Sequence, residues 1–280
     1  MLCVGAQGEA CVVMGQHGIA GFERILSLLA CEESEGACGM KQEEYRALCE
    51  ELNTIDRQYR GSVQEIYEEG LRQVVRRQYA RGGCTLQRGY YCPSPVLDII
   101  AGNKDRGRLL KKLSGKQPDY MYGFNEAGEL LIIDGPWSAL TNGPYYREVL
   151  LRDSEREIGL RFQEVFGKTE LCGISICDTQ KGRPVRYLYA LVRDPVTGTF
   201  TEFDMEVYTY EGERLITAVH YRYGNNARAG GLVGNEMICS FAHDANGNLS
   251  TYTVQPIDQL NGERKIRPLR SYQVQQSGRT

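Results

Sequence analysis

The chain has 280 residues, of which 41% are hydrophobic and 25% charged, and its net charge is -3. This composition excludes wholesale disorder and bounds the molecule at one or two domains with a core of ordinary size. So small a net charge excludes strong global attraction to nucleic acid and leaves only local charged patches.

Tyrosine outnumbers the other aromatics, 18 against 7 Phe and 1 Trp, which suits half-buried sheet surfaces where the ring packs and the hydroxyl stays wet. The first basic residue is Arg24, too late for the charged start of a signal peptide. No apolar run approaches the ~20 residues that would span a bilayer. The expectation is a soluble, cytoplasmic protein whose 10 cysteines are reduced. Cys31, Cys38, Cys84 and Cys92 form the one set worth weighing as a metal site, but their spacings match no zinc pattern. Neither a metal nor a cofactor is expected.

Residues 1–17 are glycine-rich, and the glycines from Gly5 to Gly21 lack the lysine and preceding strand of a phosphate loop. Ile19, Phe22, Ile25, Leu26 and Leu29 then follow helical spacing and predict a first helix. The stretch 41–80 carries the strongest helical signal. Its stripe runs Tyr45, Leu48, Leu52, Ile55, Tyr59 and resumes as Val63, Ile66, Leu71, Val74, Val75. Gly61 and a capping box at Ser62-Val63-Gln64-Glu65 divide it into two helices. Ser94-Pro95 opens a short helix over 96–101, and 105–113 can add a turn or two.

At Tyr120 the period changes from helical to two. Strands are expected at 119–125, 129–134, 144–152, 156–165, 170–177, 185–194, 199–210, 213–223, 236–243 and 248–255. The connections carry Asn-Gly, Thr-Gly and Glu-Gly turn signals. The predicted fold is α+β: N-terminal helices packed on a large, twisted antiparallel β-meander of about ten strands. Residues 1–118 make the helical region and 119–280 the sheet, in one compact body.

No catalytic motif stands out. His17, His220 and His243 lack a nucleophile and an orienting group at any recognisable spacing, and ordinary sheet histidines are the simpler reading. Charge is unevenly placed: residues 28–70 hold eleven acids and four bases, residues 72–116 eleven bases and two acids. Arg72, Arg76, Arg77, Arg81, Arg106, Arg108, Lys111 and Lys112, with Arg88, Lys104 and Lys116, could contact an anion. The only interleaved aromatics are Tyr79, Tyr90 and Tyr91, so nucleic acid is not the favoured partner. Glu202, Asp204 and Glu206 share one face of a strand and would form an exposed acidic row, fit for a basic partner protein. Trp137, on a loop at 134–144, is the candidate anchor. Asn225, Asn226 and Arg228 lie on a second, glycine-rich loop at 224–234 that is expected to be mobile.

His243-Asp244-Ala245-Asn246-Gly247-Asn248-Leu249 and Tyr122-Gly123-Phe124-Asn125-Glu126-Ala127-Gly128-Glu129-Leu130 resemble the YD-style hairpins of Rhs-type bacterial proteins. The region 119–256 also resembles, in style, the sheet-rich proteins of bacterial polymorphic-toxin loci. That resemblance implies an immunity-type inhibitor that binds a cognate toxin. The leading expectation is therefore a non-enzymatic protein-binding module, with no membrane partner. The alternatives are a hydrolase or nuclease with a site assembled from scattered residues, and a nucleic-acid-associated protein using 72–116.

Overall fold

The computed structural model describes residues 40–83, 88–100, 106–113, 117–138, 143–191, 193–194, 197–226, 231–260 and 263–274. The first predicted helix, at 19–29, lies outside them. Two compact units divide the chain, Met1–Ala47 and Leu48–Thr280. The described part of the first is the opening of a helix, where the Lys41 backbone N–H donates to the Glu44 carboxylate at 2.8 Å. The rest of that helix and the whole sheet belong to the second unit.

Helices α1 (Gln42–Tyr59) and α2 (Val63–Arg72) part at Gly61, where the stripe breaks. Ser62 stands at the predicted cap, but its hydroxyl makes no capping bond, so the glycine and not the capping box accounts for the break. Helix ends at Arg72, earlier than the period suggests. Residues Arg76–Arg81 are strand β1, antiparallel to β3 (Tyr120–Phe124). The run RRQYAR has no strong preference of its own, and pairing with β3 decides its state. Strand β2 (Arg108–Leu109) replaces the helical turn expected there.

The strands after 118 follow the predicted order. They are β4 (Leu130–Ser138), β5 (Gly143–Arg152), β6 (Arg156–Val165), β7 (Lys168–Gln180), β8 (Arg183–Ala190), β9 (Glu202–Glu211), β10 (Arg214–Asn226), β11 (Gly231–His243) and β12 (Leu249–Leu260). Two more, β13 (Glu263–Ile266) and β14 (Arg270–Gln273), both pair with β12. All fourteen make one antiparallel sheet in the order β13-β12-β11-β10-β9-β8-β7-β6-β5-β4-β3-β1-β2, with β14 beside β12. The sheet is a meander from β3 to β13. The expectation of about ten strands falls short by four short strands at the two edges.

Three turns repeat one device. The Asn125 N–H donates to the Glu129 carbonyl and Gly128 back to Asn125; Asp194 and Asp244 do the same with Thr199 and Asn248, aided by Gly198 and Gly247. Each of these glycines sits at positive φ, which closes a short hairpin loop without splaying its strands.

The sheet is covered on both faces through its middle. On β8, Arg186 meets Glu51 of α1 while its neighbour Tyr187 joins the cluster around Cys92 and Val96. Successive strand residues point to opposite faces, so the helices lie on one face and the segment 88–100 on the other. On the helix face, Tyr67 meets Phe162 edge-on at 5.3 Å. Asn53 holds Phe200 with two bonds, 3.0 Å to its carbonyl and 2.8 Å from its N–H. On the opposite face a 3-10 turn (Gly89–Tyr91) and the one-turn helix α3 (Leu97–Ile100) form a strap. Tyr91 packs against Tyr122 at 4.8 Å there.

Candidate functional site

The strap is pinned by one buried cation. Arg88 is 1% exposed and adopts the left-handed conformation at φ 61. Its guanidinium donates to Glu148 at 2.6 Å, to Ser175 at 2.6 Å, and to Glu157. Arg161 donates to the other Glu148 oxygen at 3.1 Å and lies 3.9 Å over the Tyr146 ring. Arg152 takes the second Glu157 oxygen. Burial alone would push Glu148 up; Arg88 and Arg161 outweigh it and hold the carboxyl below its ordinary value. Glu157 is lowered in the same way, burial being outweighed by Arg88 and Arg152.

Room for this network comes from Gly159. A Cβ there would stand 2.3 Å from a Glu148 oxygen and 2.4 Å from both Arg88 and Ser175. Farther along the strap, Ser94 and Tyr208 both donate to Glu206, and Arg106 donates to the carbonyls of Tyr90, Cys92 and Ser94. Burial pushes the Cys92 and Cys177 thiols up to about 12. Cys239 and Cys172 are pushed up to about 11 for the same reason. Such thiols stay protonated at neutral pH and pack as small apolar groups. Of the four cysteines weighed as a metal set, only Cys92 lies among the described residues.

The acidic row divides. Glu202 is exposed, but Asp204 sits 3.1 Å from His220 Nε2, and Glu206 is 7% exposed beneath Ser94. The row is therefore not a solvated face, because the strap covers its inner end. Arg222 stands opposite Asp204, His220 opposite Glu206, and Asn235 and Met237 follow on β11. This half-exposed patch mixes acid, base, amide and thioether.

Strand reaches into both expected loops. Strand β4 runs on to Ser138, and Trp137 pairs with Pro144. Residues 224–226 extend β10, and Asn226 pairs with Gly231. In both places ladder pairing continues through residues that carry turn-forming glycines and asparagines. The side chains of Trp137, Asn225 and Asn226, and all of Arg228, lie outside the described residues.

The basic residues also divide. Arg106 and Arg88 serve the strap. Arg72 pairs with Glu69, and Arg76 lies 4.1 Å over the Phe124 ring. Arg77, Arg81, Arg108, Lys111 and Lys112 gather at the β1–β2 edge of the sheet, while Lys104 and Lys116 lie outside the described residues.

Sequence reasoning missed the ionic pairs that lock α1 to the sheet. Glu51 joins Arg186 at 3.0 Å and Arg156 at 3.1 Å, and Asp178 joins both arginines at 2.6 Å. Asp56 takes Arg60 and Arg193. The signal available was a charged residue at a strand position where the period calls for an apolar one, as at Arg186 and Asp178. A cleft of about 390 Å³ opens beside Asp56, lined by Arg60, Thr169, Glu170, Leu171, Cys172, Leu191 and Arg193. Both arginines there are turned to Asp56 and to the Gly198 carbonyl, so the cleft wall serves to hold the turn at 194–199. Among the described residues no group of His, Cys, Asp and Glu is arranged to hold a metal ion, and no helix is long and apolar enough to cross a membrane.

No protein-family model matches the chain, and no curated protein or solved structure matches it.

Proposed function

We propose that the chain is a non-enzymatic protein-binding module, and that its partner docks on the strap face of β9–β12, beyond the end of the strap. One observation carries this reading. Past β9, alternate residues on both faces of β10, β11 and β12 stay half-exposed, among them Val219, Tyr221, Met237, Ile238 and Tyr252. An antiparallel sheet ordinarily packs one face and leaves the other to water. Here neither face is fully packed, and the strap-face patch of Glu202, Asp204, His220, Arg222, Asn235 and Met237 has the mixed character of an interface. The chemistry of the interior supports a binding role. Its buried carboxylates Glu148, Asp178 and Asp56 are engaged by arginines, Glu206 by the hydroxyls of Ser94 and Tyr208, and its buried thiols are held protonated. Neither is poised for nucleophilic attack.

An immunity-type inhibitor, whose partner is a toxin, is the specific form of this reading. Its support is the resemblance of the Asn125 and Asp244 hairpins to Rhs-style turns.

A photo-crosslinking residue in place of Glu202 or Asn235, both exposed, tests the surface in the native host. The expected result is one cross-linked protein from these positions and none from Glu213, an exposed turn residue remote in register. The band should fade when Arg222→Glu is added. Equal cross-linking from all positions sinks the reading. Protection of cells from the cross-linked partner, when the two are co-expressed, tests the immunity form.

A further inference from the structure

The β1–β2 edge, at the opposite end of the sheet, carries a different chemistry. On β1, Arg77, Tyr79 and Arg81 alternate onto one face, at steps of about 6.6 Å. That face is turned away from the strap, because Ala80 belongs to the strap-side cluster and Gln78 accepts a bond from Tyr91 of the strap. In the β1–β2 ladder Arg81 stands directly opposite Arg108. Like charges so placed repel, and a sheet bears that arrangement at a cost in stability. The Leu110 N–H donates to the Tyr79 carbonyl at 2.8 Å, which brings Lys111 and Lys112 alongside the same edge.

Among the described residues two acids, Asp119 and Asp134, stand beside this group. Asp119, whose N–H donates to the Ala80 carbonyl at 3.0 Å, flanks Arg81 and also accepts the Gly82 N–H. Asp134 interacts with Arg77, but it is engaged by Tyr67 at 2.6 Å and by Arg147. Arg77, Arg108, Lys111 and Lys112 are exposed and form no ion pair among the described residues.

From the paired arginines and the tyrosine set between two of them, we infer that this face binds single-stranded nucleic acid. The cations track the phosphates and the Tyr79 ring supplies a stacking surface. Arginine forks suit phosphate oxygens, and one aromatic flanked by cations is the element repeated in single-strand binding grooves. The net charge of -3 argued against such a partner, but position and not total decides a local contact. This face is independent of the proposed protein-binding patch on β9–β12.

The test is anisotropy of a labelled oligothymidylate against the full chain over a salt series. Wild type should bind saturably at low salt. Changing Arg77, Arg108 and Lys112 together to Gln should lower the slope of log affinity against log salt by about 2, at about 0.7 for each charge. Tyr79→Leu should weaken binding about tenfold and leave the slope unchanged. Lys111→Glu with Lys112→Glu, which lie outside the ladder, repeats the charge test without touching strand pairing. Polyglutamate of equal charge is the competitor. If it binds as tightly, the face takes acidic polypeptide and the nucleic-acid assignment fails. The proposal also falls if wild type does not bind, or if folded charge variants bind as wild type does.

Discussion

Replacing Arg88 by methionine tests whether a single buried cation holds the strap to the sheet. The change keeps most of the volume and removes a guanidinium that is 1% exposed and serves Glu148, Glu157 and Ser175. Breaking a buried pair from one side typically costs about 3–5 kcal/mol, because the abandoned charge stays desolvated. Both carboxylates keep a second arginine here, Arg161 for Glu148 and Arg152 for Glu157, so the expected loss is at the lower end, about 3 kcal/mol. With a urea m-value of about 3 kcal/mol/M, the midpoint falls by about 1 M. Arg88→Lys should recover only part of the loss, since an ammonium cannot reach three acceptors in the fork geometry. A double-mutant cycle with Glu148→Gln should give a coupling of about 2 kcal/mol. Limited proteolysis should find new cleavage within 88–96 in the Arg88→Met protein. A loss below about 1 kcal/mol at unchanged m, or a coupling below about 0.5 kcal/mol, would overturn the assignment of this role to Arg88. The strap would then be held by its aromatic and apolar contacts.

Asn53→Ala removes both bonds to Phe200 and leaves a buried N–H and carbonyl without their partner; a loss of about 2 kcal/mol is expected by urea denaturation. Gly159→Ala forces a Cβ among three side chains that are buried and bonded to one another, so a loss of about 3 kcal/mol is expected in the same assay, and a neutral result would mean the network repacks freely. Stability should also depend on pH in a signed way. Glu51, Glu148 and Glu157 lie below the ordinary 4.5 in the fold, so their contribution is present above pH 4.5 and is lost as pH falls through their folded values. Cys92 and Cys177 are raised from 9.0 to about 12, so their contribution is present below pH 9.0 and is lost as pH climbs through the folded value. Thermal midpoints across pH should fall at both ends, and a flat acid limb would contradict the carboxylate assignments.

Much of the sheet was legible because its signals are local. Gly128, Gly198 and Gly247 with their Asn or Asp partners specify tight turns within five or six residues, and period-two runs mark the strands between them. Gly61 marked the helix break for the same reason. The edge strands were not legible. The state of β1 depends on β3, whose paired residues lie 40 to 48 positions further on, and RRQYAR reads equally well as the end of a helix.

The site was read less well, because its residues meet across long stretches of chain. Periodicity places Glu202, Asp204 and Glu206 on one face, and that is correct, but it cannot say what lies over the face. Glu206 is buried because Ser94, 112 residues earlier, is laid across it. A count of arginines in 72–116 cannot tell Arg88, which finds carboxylates 60 and 69 residues away, from Arg108, which finds none among the described residues. The order of amino acids settles where the chain turns and which side chains share a side of each strand, since those depend on backbone preferences over a few residues. Which charges are buried and paired, and which face water, is set only when the chain folds. Desolvation and Coulomb attraction act across space, between segments whose distance along the chain carries no information about their contact.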